Sequence, residues 1–177
     1  MVEMRILFLG TSAAVPTATR GLSSAVIIRG GELLIFDTGE GMQQNFIRSG
    51  LGINKKLKIF ITHMHADHCL GALGLLQTLS LLGRETPVDI FGPPRFAEFM
   101  KTNVNILSFG LIFEVRISSI RSEGIVVKER DYSVSCCEAH HIFPTYAFCL
   151  SEHERAGIFD IDETKRLGIP EGHLYKK

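Results

Sequence analysis

An α/β fold is predicted for this chain from three observations. Apolar runs of strand length follow one another closely at the start, and Gly30-Gly31 between two of them signals a hairpin. Further along, such runs alternate with longer stretches of helical composition. The 177 residues are 45% hydrophobic, enough to bury one sizeable core in a single domain. Early hairpins followed by mixed strand and helix fit α/β better than a simple parallel sheet.

Strands are expected at 4–9, 23–29, 32–36, 57–61, 88–91, 112–117, 124–128, 132–137 and 146–150. Each is a short run rich in Val, Ile, Phe, Tyr or Leu, bounded by turn formers. Leu57-Lys58-Ile59-Phe60-Ile61 reads as a buried strand. Helices are expected at 42–47, 70–82 and 95–107, with a short one at 162–167 that ends at Gly168. Pro93-Pro94 suits the start of the third, because proline pre-sets the helical φ where no N–H is needed.

Thr62-His63-Met64-His65-Ala66-Asp67-His68 follows the buried strand. Three imidazoles and a carboxylate crowd into six positions, which packing a core rarely requires and metal binding does. In extended chain, residues two apart point the same way, so His63 and His65 can reach one metal together. A helix starting near Asp67 would carry that carboxylate and His68 to a second point beside the first. The pattern predicts two metals a few ångströms apart. Imidazole and carboxylate donors without thiolate suit Zn²⁺, with Mn²⁺ or Fe²⁺ as alternatives. Such a pair lowers the pKa of a bound water and clamps attacking and leaving oxygens. That chemistry is hydrolysis, at phosphorus or at an activated carbonyl. Cys69, Cys136, Cys137 and Cys149 contain no C-x-x-C pair, which argues against structural zinc.

The heptad resembles the H-x-H-x-D-H motif of the metallo-β-lactamase superfamily, and flanking segments narrow the match. Phe8-Leu9-Gly10-Thr11-Ser12-Ala13-Ala14-Val15-Pro16, Phe36-Asp37-Thr38-Gly39-Glu40-Gly41, Ile90-Phe91-Gly92-Pro93-Pro94, His141-Ile142-Phe143-Pro144 and Leu167-Gly168-Ile169-Pro170-Glu171-Gly172 occur in the order seen in the tRNase Z (ribonuclease Z) family. The resemblance implies an αβ/βα sandwich whose C-terminal half is missing here. It divides the chain into an N-terminal part of the metallo-β-lactamase domain, 1–150, and the start of a substrate-binding arm, 151–177.

On that resemblance His63, His65 and His141 bind one zinc, while Asp67 and His68 bind the second. Asp67 is also the candidate general base. Asp37 orients a ligating imidazole, and Arg20 contacts substrate phosphate. His141 is preferred to its neighbour His140, which is expected to point away along a strand. The family's first loop carries a lysine and an asparagine that are absent from Pro16-Thr17-Ala18-Thr19-Arg20-Gly21, and its Gly-Pro pair is Gly172-His173 here. The implied activity is zinc-dependent removal of the 3′ trailer from pre-tRNA, by a homodimer when full-length. The family's bridging aspartate and further histidines find no match after His141, so the chain alone is expected to be weak or inactive. Alternatives are another hydrolase of small phosphodiesters or esters, or a non-catalytic dimerisation or RNA-binding module.

Composition sets bounds. Lys+Arg and Asp+Glu are 19 each, so the chain lacks the basic excess common in nucleic-acid binders. A local patch of Arg20, Lys55, Lys56, Lys58 and Arg84 could still serve, although the lysines are better explained as a solvated surface. The apolar stretch at 70–82 is interrupted by Gly71, Gly74, Gln77, Thr78 and Ser80, unlike a membrane span. Ile6–Leu9, between Arg5 and Gly10, is too short for a signal peptide's core. Scattered cysteines suggest no disulfide framework, and the expected compartment is the cytoplasm.

Overall fold

The computed structural model describes residues 2–107, 110–154, 160–170 and 172. Two sheets form its frame. The larger has six strands in sequence order: β1 (Met4–Gly10), β2 (Ser24–Arg29), β3 (Glu32–Phe36), β4 (Lys56–Phe60), β5 (Val88–Gly92) and β6 (Val115–Ser119). β1 to β3 pair antiparallel, and β3 to β6 pair parallel. The smaller is an antiparallel meander of β7 (Gly124–Lys128), β8 (Tyr132–Ala139) and β9 (Thr145–Glu152).

Strand periodicity sorts the residues between the two faces of the large sheet. Leu33, Ile35, Leu57, Ile59, Val88 and Ile90 face the helices. Those helices are α1 (Met42–Arg48), α3 (Gly71–Leu81) and α4 (Pro94–Ile106), which bury Met42, Phe46, Leu75, Leu79, Phe96 and Met100. A single turn, α2 (Ala66–Cys69), precedes α3, and α5 (Ile161–Arg166) is capped by the Asp160 carboxylate, which accepts the Glu163 N–H. Residues of the opposite parity, Leu34 and Phe60, meet Val127, Tyr132 and Val134 of the small sheet. Phe60 stacks between Phe36 and Phe91 at 5.1 Å from each, and Phe148 tilts against it at 5.4 Å.

Lys58 shares that parity, so it enters the space between the sheets. There its Nζ donates to the Tyr132 hydroxyl at 3.0 Å and pairs with Glu129 at 2.8 Å. Tyr132 in turn donates to Glu32 at 2.5 Å, and Arg29 lies over the Tyr132 ring and pairs with Glu152. Burial lowers the Lys58 pKa, while Glu129 and Glu32 hold the charge in place. Arg84 is equally buried, its guanidinium donating to the carbonyls of Ile53, Lys55 and Pro87. Neither belongs to a surface basic patch, and Lys56 is engaged by Glu32 and Glu129. The patch read from the sequence therefore dissolves: charges that look solvent-facing in a linear string are used to staple the fold.

Three elements differ from the sequence reading. β6 starts at Val115 rather than 112, because β5 pairs only from Val88 onward, opposite Val115. The preceding loop is pinned instead by Ser80, whose Oγ donates to Gly110 O and accepts the Ile112 N–H. β8 and β9 both run longer than expected. β9 extends through Glu152, and the hairpin closes at 140–144, so His140 and His141 lie in its loop rather than along a strand. Glu171 and His173 lie outside the described residues.

Tyr132→Phe removes the hydroxyl shared by Lys58 and Glu32 without changing shape. It should destabilise the fold by about 1–3 kcal/mol, the usual loss for unsatisfying buried polar groups. Urea unfolding followed by circular dichroism should show a lower midpoint at unchanged slope.

Candidate metal centre

The site forms where the parallel strands β3 and β4 end, the usual position for ligands in open α/β sheets. Chain leaving β3 turns at Asp37, a buried residue with φ of 59°. Non-glycine residues rarely adopt that region, and aspartate is among those that tolerate it. The turn aims the carboxylate back at the β4 exit. There it accepts the Thr62 N–H at 2.8 Å and the Thr62 hydroxyl at 2.9 Å through Oδ1. Its Oδ2 lies 2.6 Å from His68 Nδ1.

These bonds set two imidazoles. His68 donates from Nδ1 to Asp37, which leaves the Nε2 lone pair facing outward. The Thr62 hydroxyl has one proton and gives it to Asp37. Its oxygen lies 2.8 Å from His63 Nδ1 and accepts from that nitrogen, so His63 Nε2 also presents a lone pair. His63 Nε2 lies 2.9 Å from His65 Nδ1, which is 3.4 Å from His141 Nε2. The three donor nitrogens all fall within 4.8 Å of one another. Burial, followed by the neighbouring His68, pushes the His63 pKa down to about 4, so this imidazole is neutral at pH 7. Three imidazole nitrogens this close together are a donor set suited to a divalent cation.

Asp67 and His68 sit together on the α2 turn, with Asp67 Oδ2 3.6 Å from His68 Nε2. The same oxygen accepts the Ala14 N–H at 2.8 Å. Burial opposes ionisation of Asp67, but that bond and His68 outweigh it and hold the carboxyl below its ordinary range. The bond to Asp37 raises the His68 pKa against the effect of burial. With the His68 Nε2 deprotonated, that nitrogen and the Asp67 carboxylate oxygen, 3.6 Å apart, would offer two donor atoms to a cation.

The packing that permits this leaves no room for side chains. A Cβ on Gly39 would lie 2.8 Å from Asp67 O, and one on Gly71 would lie 2.2 Å from Gly39 O. The Tyr146 N–H donates to Thr62 O at 3.0 Å, tying the β8–β9 hairpin to the histidine loop. That tie brings His141 over His65, with ring centroids 4.9 Å apart.

Among the sequence-derived candidates, the structure brings together His63, His65 and His141, and places Asp67 and His68 beside them under Asp37. Arg20 is elsewhere: it is exposed in the first loop and lines a cavity of about 370 Å³ with Glu40, Gln44, Asn45 and Arg48. Thr62, though part of the heptad, received no role from sequence, and its position next to His63 was the only signal. The Ala14 N–H is a backbone group 53 positions from Asp67 and left no mark in the sequence.

This arrangement is a cluster able to hold a metal ion, set on a mixed α/β frame. Residues 18–126 match the metallo-beta-lactamase superfamily, and the chain belongs to that family. Its curated relatives include ribonuclease Z of Nitrosopumilus maritimus, 46% identical over 98% of this chain and 58% of that protein. Ribonuclease Z of Methanosarcina acetivorans is 39% identical over 98% of this chain and 57% of that protein. The chain thus spans little more than half the length of these relatives. Among solved structures, human tRNase Z, short form, superposes with a TM-score of 0.74 and 31% identity, covering 83% of this chain and 64% of that one.

Asp37→Asn tests the orienting role with little backbone strain, since asparagine also tolerates positive φ. Metal affinity, measured by competition with a chromophoric chelator, should fall about 10–100-fold. In the same assay His141→Ala should weaken binding, whereas His140→Ala should leave it unchanged.

Proposed function

We propose that this chain is the metal-binding part of a zinc-dependent endoribonuclease that removes the 3′ trailer from pre-tRNA. The observation that carries the reading is the convergence of His63, His65 and His141 beside the Asp67–His68 pair. Similarity to ribonuclease Z over nearly the whole chain supports the substrate. Zinc suits the all-nitrogen and carboxylate donors. When bound, a metal pair activates water and neutralises charge building on a phosphodiester.

In this reading His63, His65 and His141 hold one metal, and Asp67 and His68 hold the other. Asp37 fixes His68 directly and His63 through Thr62. Asp67, ionised at neutral pH and held by the Ala14 N–H, accepts the proton released as water attacks phosphorus. Bond cleavage leaves a 3′ hydroxyl on the tRNA. Arg20, with its planar fork in the exposed first loop, contacts substrate phosphate. The reading places the protein in the cytoplasm as one of two associating copies. Leu81, Ile106 and Ile112 are exposed apolar surface available to that contact. No helix among the described residues is long and apolar enough to cross a membrane.

Donors at the two positions are unequal: three imidazoles at one, and Asp67 with His68 at the other, among the described residues. The 177-residue chain should therefore bind zinc more firmly at the first position and cleave slowly by itself. The test is zinc content by elemental analysis together with cleavage of a pre-tRNA by the purified chain. Slow, metal-dependent cleavage leaving a 3′ hydroxyl supports the proposal. Hydrolysis of small phosphodiesters with no cleavage of pre-tRNA replaces it with the alternative that neutral net charge favours.

A further inference from the structure

We infer that the apolar cavity beside the imidazole cluster is a nucleobase subsite, in which Met64, Phe143 and Pro144 receive one base next to the scissile phosphate and Arg95 holds an adjacent phosphate. The inference rests on the endoribonuclease reading and deepens it.

The cavity has a volume of about 670 Å³ and is lined by Met64, Pro93, Pro94, Arg95, Phe143 and Pro144. That lies within the roughly 300–1,000 Å³ common for small-molecule sites. Its position follows from one ring. Phe143 stands nearly perpendicular to His65, at 85° and 5.3 Å between centroids. Phe143 and Pro144 also line the adjoining cavity that holds His141. The wall begins one side chain away from the nitrogens that face the metal position. A group bonded to a phosphate held by a cation at those nitrogens would lie within reach of this cavity.

The lining chemistry selects the occupant. An aromatic ring, proline rings and a thioether offer flat or adaptable apolar contact and no hydrogen-bonding edge. Such a wall stacks any base and reads none. Arg95 supplies the complementary charge. It is exposed in the first turn of α4, and no hydrogen bond or ion pair engages it among the described residues. A guanidinium is well matched to phosphate. Pro93 and Pro94 set the start of α4, so the wall carrying Arg95 is rigid. Neither exposed Phe143 nor unpaired Arg95 serves the core, although the half-buried Met64 also packs against it.

An apolar floor with a cationic rim matches a nucleotide, which is itself a flat base joined to an anion. The experiment uses the zinc-loaded 177-residue chain and short single-stranded RNAs carrying 2-aminopurine at successive positions. Anisotropy reports binding, and 2-aminopurine fluorescence reports stacking. One position should be quenched on binding. Phe143→Leu should abolish that quenching and weaken binding roughly ten-fold, and Phe143→Tyr should restore both. Arg95→Ala, an exposed substitution that spares the fold, should weaken binding and reduce the salt slope by about one. RNA bound with unchanged affinity and unchanged fluorescence in Phe143→Leu and Arg95→Ala overturns the subsite and leaves the endoribonuclease reading standing. No RNA binding by the unsubstituted chain overturns both.

Discussion

The Asp37 carboxylate is the constraint on which the site depends. It occupies a backbone conformation that most side chains avoid, and that conformation is what turns it back toward the β4 exit. One oxygen holds Thr62 through both N–H and hydroxyl, and the other holds His68. Through these contacts a single buried group sets the tautomer of His68 directly and that of His63 by way of Thr62. The donor geometry of both proposed metal positions is thus decided one layer away from the donor atoms, by partly buried hydrogen bonds.

That layer would be ineffective without the relation between the two sheets. His141 lies in the loop that joins β8 and β9 of the small sheet, and the other donors follow β4 of the large one. Their meeting requires the sheets to be held in fixed register. Phe36, Phe60, Phe91 and Phe148 fill the interface below the site. At its far end Lys58, Tyr132, Glu32 and Glu129 close it with charge and hydrogen bonds. A buried ion pair adds little to stability compared with well-packed apolar residues, but it penalises alternative alignments that would strand a charge. The Tyr146 N–H to Thr62 O bond then fixes the last few ångströms.

The order of strands and helices was legible because hydrophobic period and turn residues act locally: Gly30-Gly31, Pro93-Pro94 and the run at 57–61 all announced their elements. The histidine heptad announced a donor set for the same reason, since His63, His65, Asp67 and His68 are neighbours in the chain. Boundaries were less legible where a partner strand decides them. β6 begins where β5 offers its first pairing residue, and β8 and β9 lengthen because each supplies the other with partners. The roles of Lys58 and Arg84 were misread because a cation's burial depends on acceptors that lie far off in sequence, such as Tyr132 for Lys58 and the Ile53 carbonyl for Arg84.

By itself the sequence determined the fold class, the family-like motifs and the kinds of donor atom available, all of which rest on residues close together along the chain. The tertiary structure supplied the distance that puts His141, the residue the resemblance preferred, in the cluster, and decided that Thr62 relays between Asp37 and His63, that the Ala14 N–H holds Asp67, and that Phe143 opens onto a cavity beside His65. Each of these depends on distances between segments separated by loops and brought together by packing of the two sheets. Convergence of groups from separate strands is a property of the folded core, so no local pattern could have encoded it in readable form.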